Sequence, residues 1–422
     1  MKLPLNKVLC GDNRKVMKTL PNDSIDLIAT SPPYWGLRDY GTEPQIWGGK
    51  MDCTHDWLST PPPRKKNLVD IKDQNSKQAT MRGSSYDAPE GSKCVNCGAW
   101  MGQLGLEPHP QMFIDNLVEI FREVKRILKP SGSFWLNLGD SYYSNPSNKQ
   151  GPKVGARGSN REPRRNNRNL KSNWLQPKQK LMIPARVAIA LQDEGWILRN
   201  DVIWFKPNHM PESVQDRLTK SYEDLFFFVK NNRYHFNLDP IRKPQSEATI
   251  KRITQPNIMN QKGGEKQHEL YGDQAGHGNR PVDITKGMAS KYANREDSNA
   301  LGSPRARAGL REVNDGNLKG KNPGDVWEIN TYPFKGAHFA VFPPKLIEPI
   351  IKAACPEKGV FLDPFAGSGT ALRVARSLGR SFIGIELNPE NAIMCEQRVR
   401  AEKYTPPPEG VPKLKELFEN VH

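Results

Sequence analysis

Three groups of residues in this chain have the types and spacing to do chemistry. The first is Thr30-Ser31-Pro32-Pro33-Tyr34-Trp35-Gly36. Two consecutive prolines fix the backbone and remove two N–H donors, so the carbonyls of Ser31 and Pro32 can face a ligand instead of a neighbouring strand. Tyr34 and Trp35 add flat apolar faces. An acceptor-rich turn beside an aromatic ring suits a planar group that bears an amine: oxygens accept from the amine while the ring stacks on the plane. Taken alone, the stretch reads equally as a proline-rich turn with surface aromatics.

The second group is Asp363-Pro364-Phe365-Ala366-Gly367-Ser368-Gly369-Thr370, followed by Glu386-Leu387-Asn388. Gly367 and Gly369 let backbone approach a ligand closely, and Glu386 can accept from both hydroxyls of a ribose. A phosphate-cradling loop would need Gly-Lys-Ser/Thr, and no lysine stands beside Gly369. A dinucleotide fingerprint would need a third glycine where Leu372 sits, and Asp363 would repel a pyrophosphate. An acid at that point favours a ligand with a positive group, and S-adenosylmethionine fits, with its ammonium, sulfonium and ribose. Without Glu386, a plain structural turn would be the favoured reading of the Gly-x-Gly.

The third group is Cys53-Thr54-His55 with Cys94-Val95-Asn96-Cys97-Gly98. Two thiolates at C-x-x-C spacing can meet one tetrahedral ion while the glycine relieves the turn, and Cys53 with His55 would complete a Cys3His zinc site. A closed set of four protein ligands leaves no open position for water, so such a zinc would be structural. The alternatives are a loop with incidental thiols and, less well supported without a thioredoxin-like strand before it, a redox pair.

Strands and helices must position these groups. Residues 24–29 are an apolar run without helical spacing, which predicts a buried strand and puts Ser31 at its carboxyl end. A strand at 7–10 and a helix at 13–20, capped by Asp12 or Asn13, precede it and complete a β-α-β unit. Residues 113–129 carry one apolar stripe and predict a helix stopped by Pro130 and Gly132, ahead of a strand at 133–138. A helix at 184–194 and strands at 196–205 and 225–229 follow, with 206–209 and 221–224 as polar loops. Residues 339–342 lead into an apolar helix through Cys355. Then come a strand at 360–362, a helix at 371–378 and a strand at 381–385 that ends at Glu386. Strand, glycine turn, helix, strand, acid is nucleotide-type architecture.

Between these elements lie polar stretches. The region 41–110 is rich in Gly, Pro, Lys and Ser and is expected to be an insertion that cannot fill a core by itself. Residues 145–180 hold ten Lys or Arg against Glu162, which predicts a weakly ordered basic loop able to neutralise phosphates. A solvated charge run without a partner is the plainer reading of that loop. Residues 241–323 exceed any ordinary connection, which suggests a variable module that reads a partner. The 422-residue chain has a formal net charge of +16, which favours a polyanionic partner over an acidic small molecule. No apolar run approaches about 18 residues and the start is not a signal peptide, so an intracellular soluble protein is expected. Six scattered cysteines make no disulfide scaffold.

Ser31-Pro32-Pro33-Tyr34 followed much later by Asp363 to Thr370 resembles the amino-methyltransferases of DNA, in the permuted β-class order with the catalytic motif first. Asp12, the stretch 132–140, His338-Phe339-Ala340-Val341-Phe342-Pro343 and Glu386 extend the resemblance. It covers most of the chain outside 41–110, 145–180 and 241–323.

The resemblance implies an α/β fold: one circularly permuted, Rossmann-like S-adenosylmethionine-dependent methyltransferase core, with a zinc-knuckle insertion and a target-recognition insertion. Residues 1–40 would be the catalytic part of the core and 111–240 its continuation around the basic loop, with 324–422 as the cofactor-binding part. Ser31, Pro32, Pro33 and Tyr34 would be catalytic. Asp12, His338, Phe339, Asp363, Phe365, Gly367, Ser368, Gly369, Thr370, Glu386 and Asn388 would hold the cofactor.

Double-stranded DNA is the implied partner, touched by Arg157, Arg161, Arg164, Arg165, Arg168 and Lys171, and its target base would be flipped out. Serine at the head of the catalytic motif resembles cytosine-N4 enzymes, whereas aspartate is more usual in adenine-N6 enzymes, so both bases stay open with cytosine favoured. A bacterial, archaeal or phage-infected cytoplasm is the implied setting, and any restriction endonuclease would be a separate chain. RNA or a protein side chain as substrate, and a non-enzymatic zinc-containing nucleic-acid binder with a relict core, are the rival readings.

Overall fold

A computed structural model describes residues 2–37, 40, 42–58, 93–143, 175–244, 320–331 and 343–401. The chain divides into two compact units, Met1–Asn237 with Gly324–His422, and Leu238–Pro323. The described part of the second unit is short: a 3-10 turn at Asp239–Ile241 and an antiparallel bridge between Lys243 and Lys321.

The elements of the first unit, in chain order, begin with β1 (Lys7–Cys10), α1 (Asn13–Lys18), β2 (Ile25–Thr30), β3 (Gln45–Trp47) and β4 (Trp100–Gly102). Next come α2 (Pro110–Ile127), β5 (Leu128–Leu138), α3 (Ile183–Asp193), β6 (Ile197–Phe205), β7 (Tyr222–Val229) and β8 (Val326–Glu328). The last are α4 (Pro344–Ala354), β9 (Val360–Asp363), α5 (Thr370–Ser377), β10 (Ser381–Glu386) and α6 (Pro389–Ala401).

Eight strands form one sheet in the order β1-β10-β9-β2-β5-β7-β6-β8, and β3 pairs with β4 apart from it. The first five are mutually parallel, β7 is antiparallel to both β5 and β6, and β8 is parallel to β6. β2 is buried at every position, as a central parallel strand covered on both faces must be. Its side chains alternate between two cores. Ile25 and Ile28 join Phe134, Phe228 and the helices α1, α2 and α3, whereas Leu27 and Ala29 join Trp135, Phe227 and the helices α4, α5 and α6. Stacking of Trp135 on Phe227 at 4.4 Å ties the parallel half to the antiparallel half.

Strand direction decides where the chemistry gathers. β1, β10, β9, β2, β5 and β6 all end at one edge of the sheet, and β7 begins there, so polar residues following or starting these strands are brought together.

Three elements depart from the sequence reading. α2 ends at Ile127 and Leu128 already belongs to β5, so Pro130 lies inside a strand. The register against β2 jumps there, from Ile25 opposite Leu128 to Leu27 opposite Ser133, and this irregularity accommodates a residue that cannot donate. Second, 221–224 is not all loop: β7 starts at Tyr222, and Glu223 pairs with Trp204. Third, the flanks of the polar region 41–110 form β3 and β4, and Trp47, Trp100 and Leu104 are buried in the main core.

Candidate active site

Asp363 is the last residue of β9 and only 2% exposed, with Oδ1 accepting from Thr30 Oγ1 at 2.6 Å and from the Phe365 amide at 3.0 Å. Burial pushes its carboxyl up to about 7 against those two hydrogen bonds. Glu386 ends β10. Its Oε2 accepts from the Gly367 amide at 2.9 Å and its Oε1 from the Asn388 amide at 3.0 Å, while burial raises its pKa too. Among the described residues neither carboxylate has a cationic partner. Two aimed, desolvated acids at neighbouring strand tips suit a ligand that brings its own positive charge.

Tyr34 anchors the other side. Its hydroxyl donates to Glu223 Oε2 at 2.8 Å, accepts from Ser31 Oγ at 3.2 Å and lies 3.2 Å from Asn137 Oδ1. Burial, and then the negative charge of Glu223, holds the phenol well above its usual range, so it stays protonated. Burial works against the Glu223 carboxylate, but Lys206, the Tyr34 hydroxyl and Lys220 outweigh it and keep it ionised. Lys206 pairs with Glu223 Oε1 and lies 4.2 Å over the Trp204 ring. Gly139 gives the ring its room: a Cβ there would sit 2.4 Å from Tyr34 Cε2. Below the turn, Glu107 is fully buried and accepts from the Gly105 amide at 2.8 Å, and the Gly105 carbonyl in turn accepts from the Gly36 amide at 2.9 Å.

One cavity of about 870 Å³ joins the two sides, within the range of roughly 300–1,000 Å³ usual for small-molecule sites. Ser31, Pro32, Pro33 and Tyr34 line it, as do Asp12, Asp363, Phe365, Gly367, Ser368, Thr370 and Glu386. Gly369 and Asn388 stand behind that surface. Gly369 has φ +78° at the start of α5, where a Cβ would meet Cys395 Sγ at 2.7 Å, and the Asn388 side chain accepts from the Glu390 amide to start α6.

The sequence model of the N6/N4 methyltransferase family, described as DNA methylase, matches residues 25–396. The chain belongs to this family of DNA methylases. The type II methyltransferase M.XycI of Xanthomonas campestris pv. cyanopsidis is 32% identical to it, over 93% of this chain and 87% of its own. M.SfiI of Streptomyces fimbriatus is also 32% identical, over 90% of this chain and 87% of its own. Among solved structures, the cytosine-N4-specific PvuII DNA methyltransferase is similar over 94% of this chain and 87% of its own, with 16% identity and a TM-score of 0.47.

In this methylase the sequence motifs located both walls of the cavity but missed the residues between them. Asn137 falls in the stretch 132–140 that extends the resemblance but has no role of its own there, while Lys206 after β6 and Glu223 at the start of β7 are single polar residues that no local pattern marks. The one available signal is a polar side chain closing an apolar run at the edge where Ser31 and Asp363 also fall. Asn13 is similar, its Nδ2 donating to the Pro364 carbonyl at 3.2 Å and so bridging the two ends of the chain. His338 and Phe339, and the basic residues Arg157, Arg161, Arg164, Arg165, Arg168 and Lys171, lie outside the described residues.

Away from the cavity, the methylase brings Cys53, His55, Cys94 and Cys97 together, with one ligand atom from each within 4.8 Å of the others. No helix among the described residues is long and apolar enough to cross a membrane.

Proposed function

We propose that this methylase transfers the methyl group of S-adenosylmethionine to the exocyclic amine of a base flipped out of duplex DNA, with cytosine N4 as the acceptor. The observation that carries the reading is the single cavity lined by Ser31, Tyr34 and Glu223 on one side and by Asp363 and Glu386 on the other. The cofactor would supply an electrophilic methyl on a cationic sulfur, and the cleft residues fit it: among the described residues two buried carboxylates lack a cation, and the Gly367 amide donates to the one that would take a ribose.

The chain's part is positioning and electrostatics. Exocyclic amines are poor nucleophiles because their lone pair is conjugated with the ring. The Ser31 hydroxyl and the Pro32 carbonyl would accept from the amine and draw its nitrogen toward tetrahedral geometry, exposing the lone pair in line with the methyl group. Tyr34 would hold the base plane, and Glu223 and Asn137 fix Tyr34. As the N–C bond formed, the S–C bond would break with its electron pair returning to sulfur, and the excess N–H proton would pass to solvent. No covalent link to the enzyme is required.

Serine as the first motif residue supports cytosine N4; adenine N6 is the alternative. The basic stretch around Arg157 to Lys171 would track phosphates, and 241–323 would read the site. The type II methyltransferases among its relatives support a site-specific modification role; any nuclease would be a separate chain, and the substrate would be DNA in the cytoplasm. The test is incubation of duplex DNA, and of RNA in a parallel reaction, with methyl-labelled cofactor, followed by digestion to nucleosides and mass spectrometry. N4-methylcytosine supports the reading, N6-methyladenine moves it to the alternative, and label on RNA alone overturns it.

A further inference from the structure

We propose that Cys53, His55, Cys94 and Cys97 bind one zinc ion, and that this ion fastens β3 and β4 against Arg14 and so fixes the Asp12 wall of the cofactor cleft. The second half rests on the cofactor reading above; the first does not.

Geometry carries the assignment of the ion. Cys53 Sγ lies 3.9 Å from Cys94 Sγ, and Cys97 Sγ lies 3.4 Å from His55 Nδ1. A tetrahedral zinc with Zn–S near 2.3 Å and Zn–N near 2.0 Å requires ligand separations of about 3.8 Å and about 3.5 Å. The Gly98 amide donates to the Cys94 carbonyl at 2.9 Å and the Cys94 amide to the Ala99 carbonyl at 2.7 Å, closing the turn that presents both sulfurs. Gly49, at φ +78°, lies so close that a Cβ would come within 2.8 Å of Cys97 Sγ. Three thiolates and one imidazole suit zinc among the common divalent ions, and a full ligand set with no residue in the substrate cavity makes it structural.

The site has a lever on the cleft. Its two halves are stitched together by Val95 N donating to the Asp56 carbonyl at 2.8 Å and Asn96 Nδ2 to the Thr54 carbonyl at 3.0 Å. β3 leads into one half and β4 leaves the other, with Trp47 opposite Trp100. The Arg14 guanidinium lies 3.8 Å over the Trp47 ring and donates to the Ile46 carbonyl at 3.0 Å. Arg14 also pairs with Asp12 at 2.7 Å, and Asp12, Gln45 and Trp47 all line the cavity. Releasing the ion removes the anchor at one end of this chain of contacts.

The experiment uses the full chain. Elemental analysis after gel filtration is expected to find one zinc per chain, and cobalt replacement to give thiolate charge-transfer and tetrahedral d–d absorption. Cys97→Ser should lose the metal and weaken S-adenosylmethionine binding by about tenfold or more, whereas His55→Cys should keep one equivalent and bind cofactor within about twofold of wild type. A wild-type protein without zinc or cobalt uptake, or with a Cys53–Cys94 disulfide by mass spectrometry, overturns the site, and neither readout needs a folded variant. Metal loss with cofactor affinity unchanged overturns the link to the cleft. Zinc-loaded wild-type protein that binds no S-adenosylmethionine overturns the functional reading and leaves the metal assignment standing.

Discussion

Tyr34 is held by a carboxylate that a lysine keeps ionised, so its hydroxyl positions the ring, whereas its plane is what a base would meet. Tyr34→Phe keeps the plane and loses the tether. It should lower kcat/KM for DNA by about 10–100-fold, the value of a hydrogen bond to a charged acceptor, with cofactor affinity by calorimetry unchanged. A loss of cofactor affinity instead would mean that Tyr34 belongs to the other pocket.

Asp363 gives a pH signature. Its carboxyl is raised to about 7 when folded, against about 4 in an unfolded chain, so the stability it contributes is complete below about pH 4 and is lost as pH climbs to about 7. A bound cation prefers the ionised form, so S-adenosylmethionine affinity should run the other way and rise between about pH 5.5 and 7.5. Asp363→Asn should flatten that profile in calorimetry, and an unchanged slope would refute the contact. Asp363 was legible in the sequence because glycines and a second acid stand at fixed offsets from it. Glu223 was not, because its meaning depends on Lys206 across a strand turn and on Tyr34, which is 189 positions away.

Among elements, the order of apolar runs revealed the α/β alternation, since parallel strands buried on both faces are nearly continuous in hydrophobicity. β3 and β4 escaped notice: each has three residues and anchors itself with one buried tryptophan, too few for a period to show. The end of α2 was misplaced because Pro130 and Gly132 mark a strand irregularity rather than a helix stop. After β5, Gly139 is the element-scale control on Tyr34. Gly139→Ala puts a methyl where the ring lies, and the ring is the part able to move. Turnover should drop by about tenfold or more while the thermal midpoint shifts by only about 1–3 °C. A large fall in the midpoint with turnover preserved would contradict this.

For the molecule as a whole, the formal charge of +16 makes association with DNA an exchange of counterions. Raising salt from about 50 to about 200 mM should weaken DNA binding by about 10³–10⁵-fold if six to ten phosphates are contacted, while cofactor binding barely changes; fluorescence anisotropy and calorimetry separate the two. The sheet itself interleaves the ends of the chain. β2 has β9 as its neighbour, and Thr30 donates to Asp363 across 333 positions of sequence. On the ribosome, therefore, the nascent amino-terminal part emerges with the buried strand β2 able to pair with β5 on one side, while its other edge stays open until β9 has been made. Such a strand needs shelter during synthesis, and pulse-labelled chains stopped before residue 360 should remain protease-sensitive and bound to chaperones.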